Sequence, residues 1–270
     1  MMNKKTRILS VGYLAFIALL FLSSALTGIA YEIASIFTFV IPVALCLVMT
    51  RGDGVEKRRF LRMDIEVVRS FLPLVFPTIA VTMIISYFTS LLIFVTTGQT
   101  NPVDMGDSFI LALITHALMP AILEEALFRY LPLRLIAPHS PRAAIIISAF
   151  FFSLAHHSLF SIPYALVAGV ILMLIDLATD SIIPSVVIHF VNNAVSVCLM
   201  FVSYHPVLVM LVYGVIILFT VASIAAIRGM RDEYETMLIV ATDKGEKLQI
   251  VPEMILYAVL TLTVAVSNLF

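Results

Sequence analysis

Eight apolar blocks follow one another along this chain, at about 8–28, 31–49, 70–96, 108–134, 143–158, 162–179, 181–202 and 206–227. A ninth candidate runs from about 253 to 270. A helix rises 1.5 Å per residue, so roughly 20 apolar residues traverse the ~30 Å of hydrocarbon in a bilayer. In that solvent every backbone polar group must be satisfied internally, which leaves helices and closed barrels as the only spanning forms. Short alternating strands, the signature of a barrel, are absent. With 61% hydrophobic and 12% charged residues, the chain also falls outside the soluble range of about 45–50% apolar and about 25% charged. The expected fold is an all-α polytopic membrane protein, a bundle of eight or nine helices forming one membrane domain over 1–270. Within it, 108–202 are expected to be the core helices of the site and 228–252 a charged cytoplasmic connector.

Charge between the blocks sets the topology. Lys4, Lys5 and Arg7 precede the first block. Arg51, Lys57, Arg58, Arg59, Arg62 and Arg69 follow the second, Arg134 and Arg142 the fourth, and Arg228, Arg231, Lys244 and Lys247 the eighth. If eight spans alternate, all of these fall on one side. The opposite connections, 97–107, 159–161 and 203–205, carry no Lys or Arg. The positive-inside rule then places the N-terminus in the cytoplasm. The basic first segment resembles a secretory signal, but its length and the spans after it favour a retained helix.

Other features bound function by exclusion. A net charge of −1 predicts no nucleic-acid partner. Cys46 and Cys198 lie inside apolar blocks and read as buried thiols. Residues 51–69 mix basic and apolar side chains, which fits either an amphipathic surface helix or an extension of the third span. No His-Glu-x-x-His zinc helix, Gly-x-Ser-x-Gly elbow or Gly-x-Gly-Asp segment occurs.

The chemistry lies in polar groups inside the blocks, where ionisable residues face protein or water and mark function. Block four holds Glu124-Glu125-Ala126-Leu127-Phe128-Arg129, with Pro120 and Pro132 on either side. Glu125 and Arg129 are four apart, so they share a helix face and can pair. Glu124 points about 100° away, toward the space between helices. The prolines are expected to distort this helix. Block five ends in Phe152-Ser153-Leu154-Ala155-His156-His157, and block seven carries His189 and Asn193 on one face. The plainer readings are a packing ion pair, an interfacial histidine and polar glue between helices. Together, a carboxylate, two imidazoles and an amide make a plausible site for activating water and stabilising an oxyanion. From the cytoplasmic ends, Glu124 and His189 come out at roughly 10–15 Å and His156 at roughly 20 Å. That mismatch requires tilt, another span boundary or a re-entrant start to span five. Asp176 and Asp180, near the cytoplasmic end of span six, read as interfacial, and no role is expected for His116, His139 or His205.

Glu124-Glu125-x-x-x-Arg129, Phe152-x-x-x-His156 and His189-x-x-x-Asn193, in this order over roughly 115–200, resemble the CAAX prenyl protease and bacteriocin-processing (CPBP, or Abi) family of intramembrane proteases. Tyr130 stands where many bacterial members have glycine. The resemblance implies a peptidase in which Glu124 and His156 activate water. It implies that His189 and Asn193 stabilise the oxyanion and that Glu125 with Arg129 supports the site. It also implies access from the cytoplasmic side. The expected partners are the bilayer and a peptide or lipidated protein substrate, either a prenylated C-terminus or a leader or membrane peptide, in a bacterial or archaeal membrane more than the endoplasmic reticulum. No cofactor is favoured; the alternative is zinc held by Glu124, His156 and His189 as a His₂Glu site. Two other readings remain open at this point: a non-catalytic immunity or scaffold protein of the same fold, and a proton-coupled transporter using Glu124, Glu125 and Asp176.

Overall fold

The computed structural model describes residues 2–51, 61, 63, 65–100, 108–229, 234–235, 239 and 245–269. Among them are nine helices and no strand. They are α1 (Met2–Ser23), α2 (Ile29–Met49), α3 (Ile65–Thr97), α4 (Phe109–Leu135), α5 (Pro141–Ala155), α6 (Ile162–Thr179), α7 (Ile183–Val202), α8 (Pro206–Arg228) and α9 (Pro252–Ser267). All but α5 and α9 are apolar and long enough to cross a membrane. The chain is therefore an all-α polytopic membrane protein.

Local chemistry sets the ends. Pro141, Pro206 and Pro252 each open a helix, at the position where proline's missing N–H is no loss. Ser108 and Ser140 cap α4 and α5 by accepting from the N–H groups of Leu111 and Ala143. Gly98 closes α3 in the left-handed conformation at φ 75°, which glycine adopts at no steric cost.

Two expectations shift in detail. Helix α5 has only 15 residues and ends at Ala155 instead of 158. His156 therefore caps a short helix. Residues 65–71 are helical and lead into α3 through a 3₁₀ turn at Leu72–Leu74, as the extension reading expects. The rest of the 51–69 segment lies largely outside the described residues, as does much of the 228–252 connector.

The site is held from behind by tight packing. Gly169 of α6 lies against α5 so closely that an added Cβ would sit 2.7 Å from Ala149 Cα. Such small-residue contacts let membrane helices approach. Helices α1 and α9 back the core through an aromatic cluster. Tyr13 stacks on Phe151 at 4.6 Å and on Phe128 at 5.3 Å, and Phe151 meets Tyr257 at 4.7 Å. The Tyr257 hydroxyl donates to the Phe151 carbonyl at 3.1 Å. At the basic end, Lys5 Nζ lies 3.1 Å from His139 Nε2, and His139 Nδ1 lies 3.0 Å from Glu246 Oε1.

Candidate active site

Helix α4 is distorted in the way its prolines dictate. A π-turn at Leu113–Leu118 leads into Pro120, and another at Ala126–Tyr130 leads into Pro132. Proline donates no hydrogen bond to the carbonyl four residues earlier and clashes with it. For Pro132 that carbonyl belongs to Phe128, and it accepts instead from Ser148 Oγ of α5 at 2.6 Å. One proline thus creates the acceptor that docks α5 onto α4. π-bulges of this kind occur often at functional sites.

The two glutamates separate as the 100° offset requires. Glu125 is fully buried, and its Oε2 lies 3.3 Å from Nε of the equally buried Arg129. The Arg129 guanidinium sits over the Phe152 ring at 4.0 Å from the centroid, a cation–π contact. The Glu124 side chain is 21% exposed and lines a cavity of about 580 Å³ together with His156, His189 and Asn193. All four residues singled out for chemistry therefore meet on one cavity, and the two support residues stand behind it.

Hydrogen bonds assign which atom faces inward. His189 Nδ1 lies 2.7 Å from Glu125 Oε1, so Nδ1–H donates to the carboxylate and Nε2 is left toward Glu124, whose Oε2 is 3.9 Å away. His156 Nδ1 lies 3.0 Å from the Phe152 carbonyl, so this Nδ1–H is also used and its Nε2 is left over. These tautomers follow from the partners, since only one nitrogen of a neutral imidazole carries hydrogen. Asn193 Oδ1 accepts from Asn192 Nδ2 at 3.3 Å, which leaves the Asn193 amide hydrogens to donate. Asn192 Oδ1 accepts in turn from Thr82 Oγ1 of α3 at 3.0 Å.

Several residues here carry more than the sequence reading assigned them. Phe152 presents its ring to Arg129, to His156 at 4.9 Å and to His189 at 5.7 Å, all while its carbonyl orients His156. Its place four residues before His156 is the local signal for that bond. Asp176 is a correction: it is fully buried instead of interfacial. Its carboxylate accepts from Ser185 Oγ at 2.7 Å and from the Ser185 N–H at 3.3 Å. A buried carboxylate needs such partners, and this one ties α6 to the start of α7, one turn before His189. Tyr130 turns away from the cavity and accepts from Arg134 at 2.9 Å. His116, given no role, lines the cavity. Among the described residues no group of three His, Cys, Asp or Glu is placed to hold a metal ion.

Residues 106–195 match the family described as Rce1-like, type II CAAX prenyl endopeptidase. Over this segment the chain is similar to that family. The segment spans α4 to most of α7 and contains every motif residue named above. No curated protein and no solved structure matches the chain. The Rce1-like match supports a CAAX-type endopeptidase within the membrane and leaves its chemistry to the site.

Proposed function

We propose that the protein hydrolyses peptide bonds within the membrane by a Glu–His mechanism. The observation that carries this is the division between neighbouring carboxylates: Glu125 is buried on Arg129 and His189, while Glu124 faces the cavity. In the proposed reaction, Glu124 and His156 Nε2 hold a water molecule. Glu124 takes its proton as the oxygen attacks the carbonyl carbon. The carbonyl oxygen becomes an oxyanion, which accepts from the Asn193 amide and from His189 when protonated at Nε2. Glu125 holds that ring in place by accepting from Nδ1–H. The C–N bond then breaks, Glu124 returns its proton to the leaving nitrogen, and acid and amine products separate. No step uses a metal.

A transporter reading is weaker, because Glu125 is fixed between Arg129 and His189 and Asp176 on Ser185. A non-catalytic role is countered by the cavity, which a purely structural ion pair does not need.

The test is cleavage of a quenched fluorescent peptide with a farnesylated CAAX end, beside its unprenylated twin, by purified protein in lipid. Cleavage is expected to vanish in Glu124→Ala and in His156→Ala, with each variant still inserted and folded, and to persist under a zinc chelator. Cleavage retained in either variant would end the roles assigned to them. Loss under chelation would replace the metal-free mechanism with zinc hydrolysis. The relative rates on the two peptides decide whether a prenyl group is required.

A further inference from the structure

His156 stands on a corner of the chain that its own helix does not fully hold. Helix α5 stops at Ala155, His156 caps it, and His157 then turns the backbone in the left-handed conformation at φ 49°. Helices commonly end on such a residue, and it is usually glycine. A residue with a Cβ adopts that conformation at a cost and keeps it only where the surroundings enforce it. The N–H groups of His156 and His157 close on the Ser153 and Leu154 carbonyls of the same helix. Both ring nitrogens of His157 are buried and have no hydrogen-bond partner among the described residues, so its imidazole makes no such bond to anchor the turn.

The bond that ties this corner to another part of the molecule comes from α9. Asn268 Nδ2 donates to the His157 carbonyl at 2.9 Å, across 111 positions. The backbone N–H of Asn268 is still bonded to the Val264 carbonyl, so the amide is launched from a fixed helix end. Further back on the same helix, the Tyr257 hydroxyl holds the Phe151 carbonyl at 3.1 Å. Along the chain, these two grips fall on either side of the Phe152 carbonyl, which orients the His156 ring, and of His156 itself. Helix α9 lies outside residues 106–195, so the brace is not part of the matched segment.

We infer that Asn268 is a positioning residue: by pinning the His157 carbonyl it fixes the turn that sets where His156 Nε2 lies in the cavity. Asn268 does not line that cavity and acts only through the corner. The bond need not stabilise the fold as a whole. It has only to favour one arrangement of a turn that the backbone of His157 disfavours, and a displacement of ~1 Å can cost about 10²-fold in rate. A glycine at position 157 would hold the same turn unaided. The inference rests on His156 acting in the proposed hydrolysis.

The test compares the full chain in lipid with Asn268→Asp, which keeps the shape of the side chain and loses its donors. On the fluorescent peptide, kcat is expected to fall at least about tenfold, with KM within about twofold and the melting temperature unchanged. Adding His157→Gly is expected to return kcat to within about threefold of His157→Gly alone. Backbone hydrogen exchange, read without substrate, is expected to quicken over 153–161 and not along the rest of α5 or α9. Wild-type kcat in Asn268→Asp, a lower melting temperature with kcat intact, a loss that His157→Gly does not relieve, or unchanged exchange over 153–161 each overturns the inference. If Asn268→Asp fails to accumulate, Asn268→Ala removes the same donor. Glu124→Ala, run alongside, keeps the two readings apart. Cleavage that it leaves intact removes the hydrolytic reading and the positioning role with it. Cleavage that it abolishes, while Asn268→Asp cleaves as the wild type does, removes the brace alone.

Discussion

Glu124 and Glu125 are adjacent in the chain and belong to different regions of the molecule. Glu125 lies in a dry, packed region, with Arg129 at 3.3 Å, His189 at 2.7 Å and the Phe152 ring under the guanidinium. Glu124 lies in an open hollow whose other walls are hydroxyls, amides and three histidines, with Met83 and Pro120 among them. The same functional group therefore does opposite work. In the packed region charge is neutralised and geometry is held; in the hollow a carboxylate keeps access to water. The first region makes the second usable, because Glu125 fixes the ring whose other nitrogen faces Glu124. Holding a reactive shell with a buried second layer is how sites keep productive geometry.

The contrast can be broken by removing one member of each region. Glu124→Ala is expected to lower cleavage by about 10²- to 10⁴-fold, the usual contribution of a general base, while stability in detergent changes by no more than about 0.5 kcal/mol. A large loss of stability here would show that Glu124 belongs to the packed region after all. Glu125→Ala is expected to do the reverse first, destabilising by about 3–5 kcal/mol because Arg129 is left as an uncompensated buried charge. Thermal unfolding measures this, and adding Arg129→Met should restore part of the loss. An unchanged melting point in Glu125→Ala would dissolve the distinction between the two carboxylates.

Smaller effects sharpen it. Asn193→Ala is expected to reduce kcat by about 10²- to 10³-fold, as removal of one oxyanion donor does, with KM little changed. A rise in KM at constant kcat would instead place Asn193 in ground-state binding. Ser148→Ala removes the donor to the Phe128 carbonyl, which Pro132 cannot replace. The expected loss is about 1–3 kcal/mol of stability, read by unfolding. Wild-type stability would mean that the π-turn finds another partner.

Much of this was legible in the chain. Apolar blocks and their charge asymmetry determined an all-helical membrane protein, because hydrocarbon admits few other solutions. The pairing of Glu125 with Arg129 and the outward turn of Glu124 were readable because both are local consequences of 3.6 residues per turn. The order of the three motifs was enough to gather Glu124, His156, His189 and Asn193 into one candidate site. What the sequence left open involves partners far apart. Glu125 holds His189 across 64 positions, and Thr82 meets Asn192 across 110. The Phe128 carbonyl finds Ser148 across 20, and Asp176 looked interfacial until Ser185 was seen to satisfy it. Periodicity says which face of a helix a residue occupies, but not which helix that face meets. Which imidazole nitrogen is free and which carboxylate is buried are therefore decided only when the helices pack.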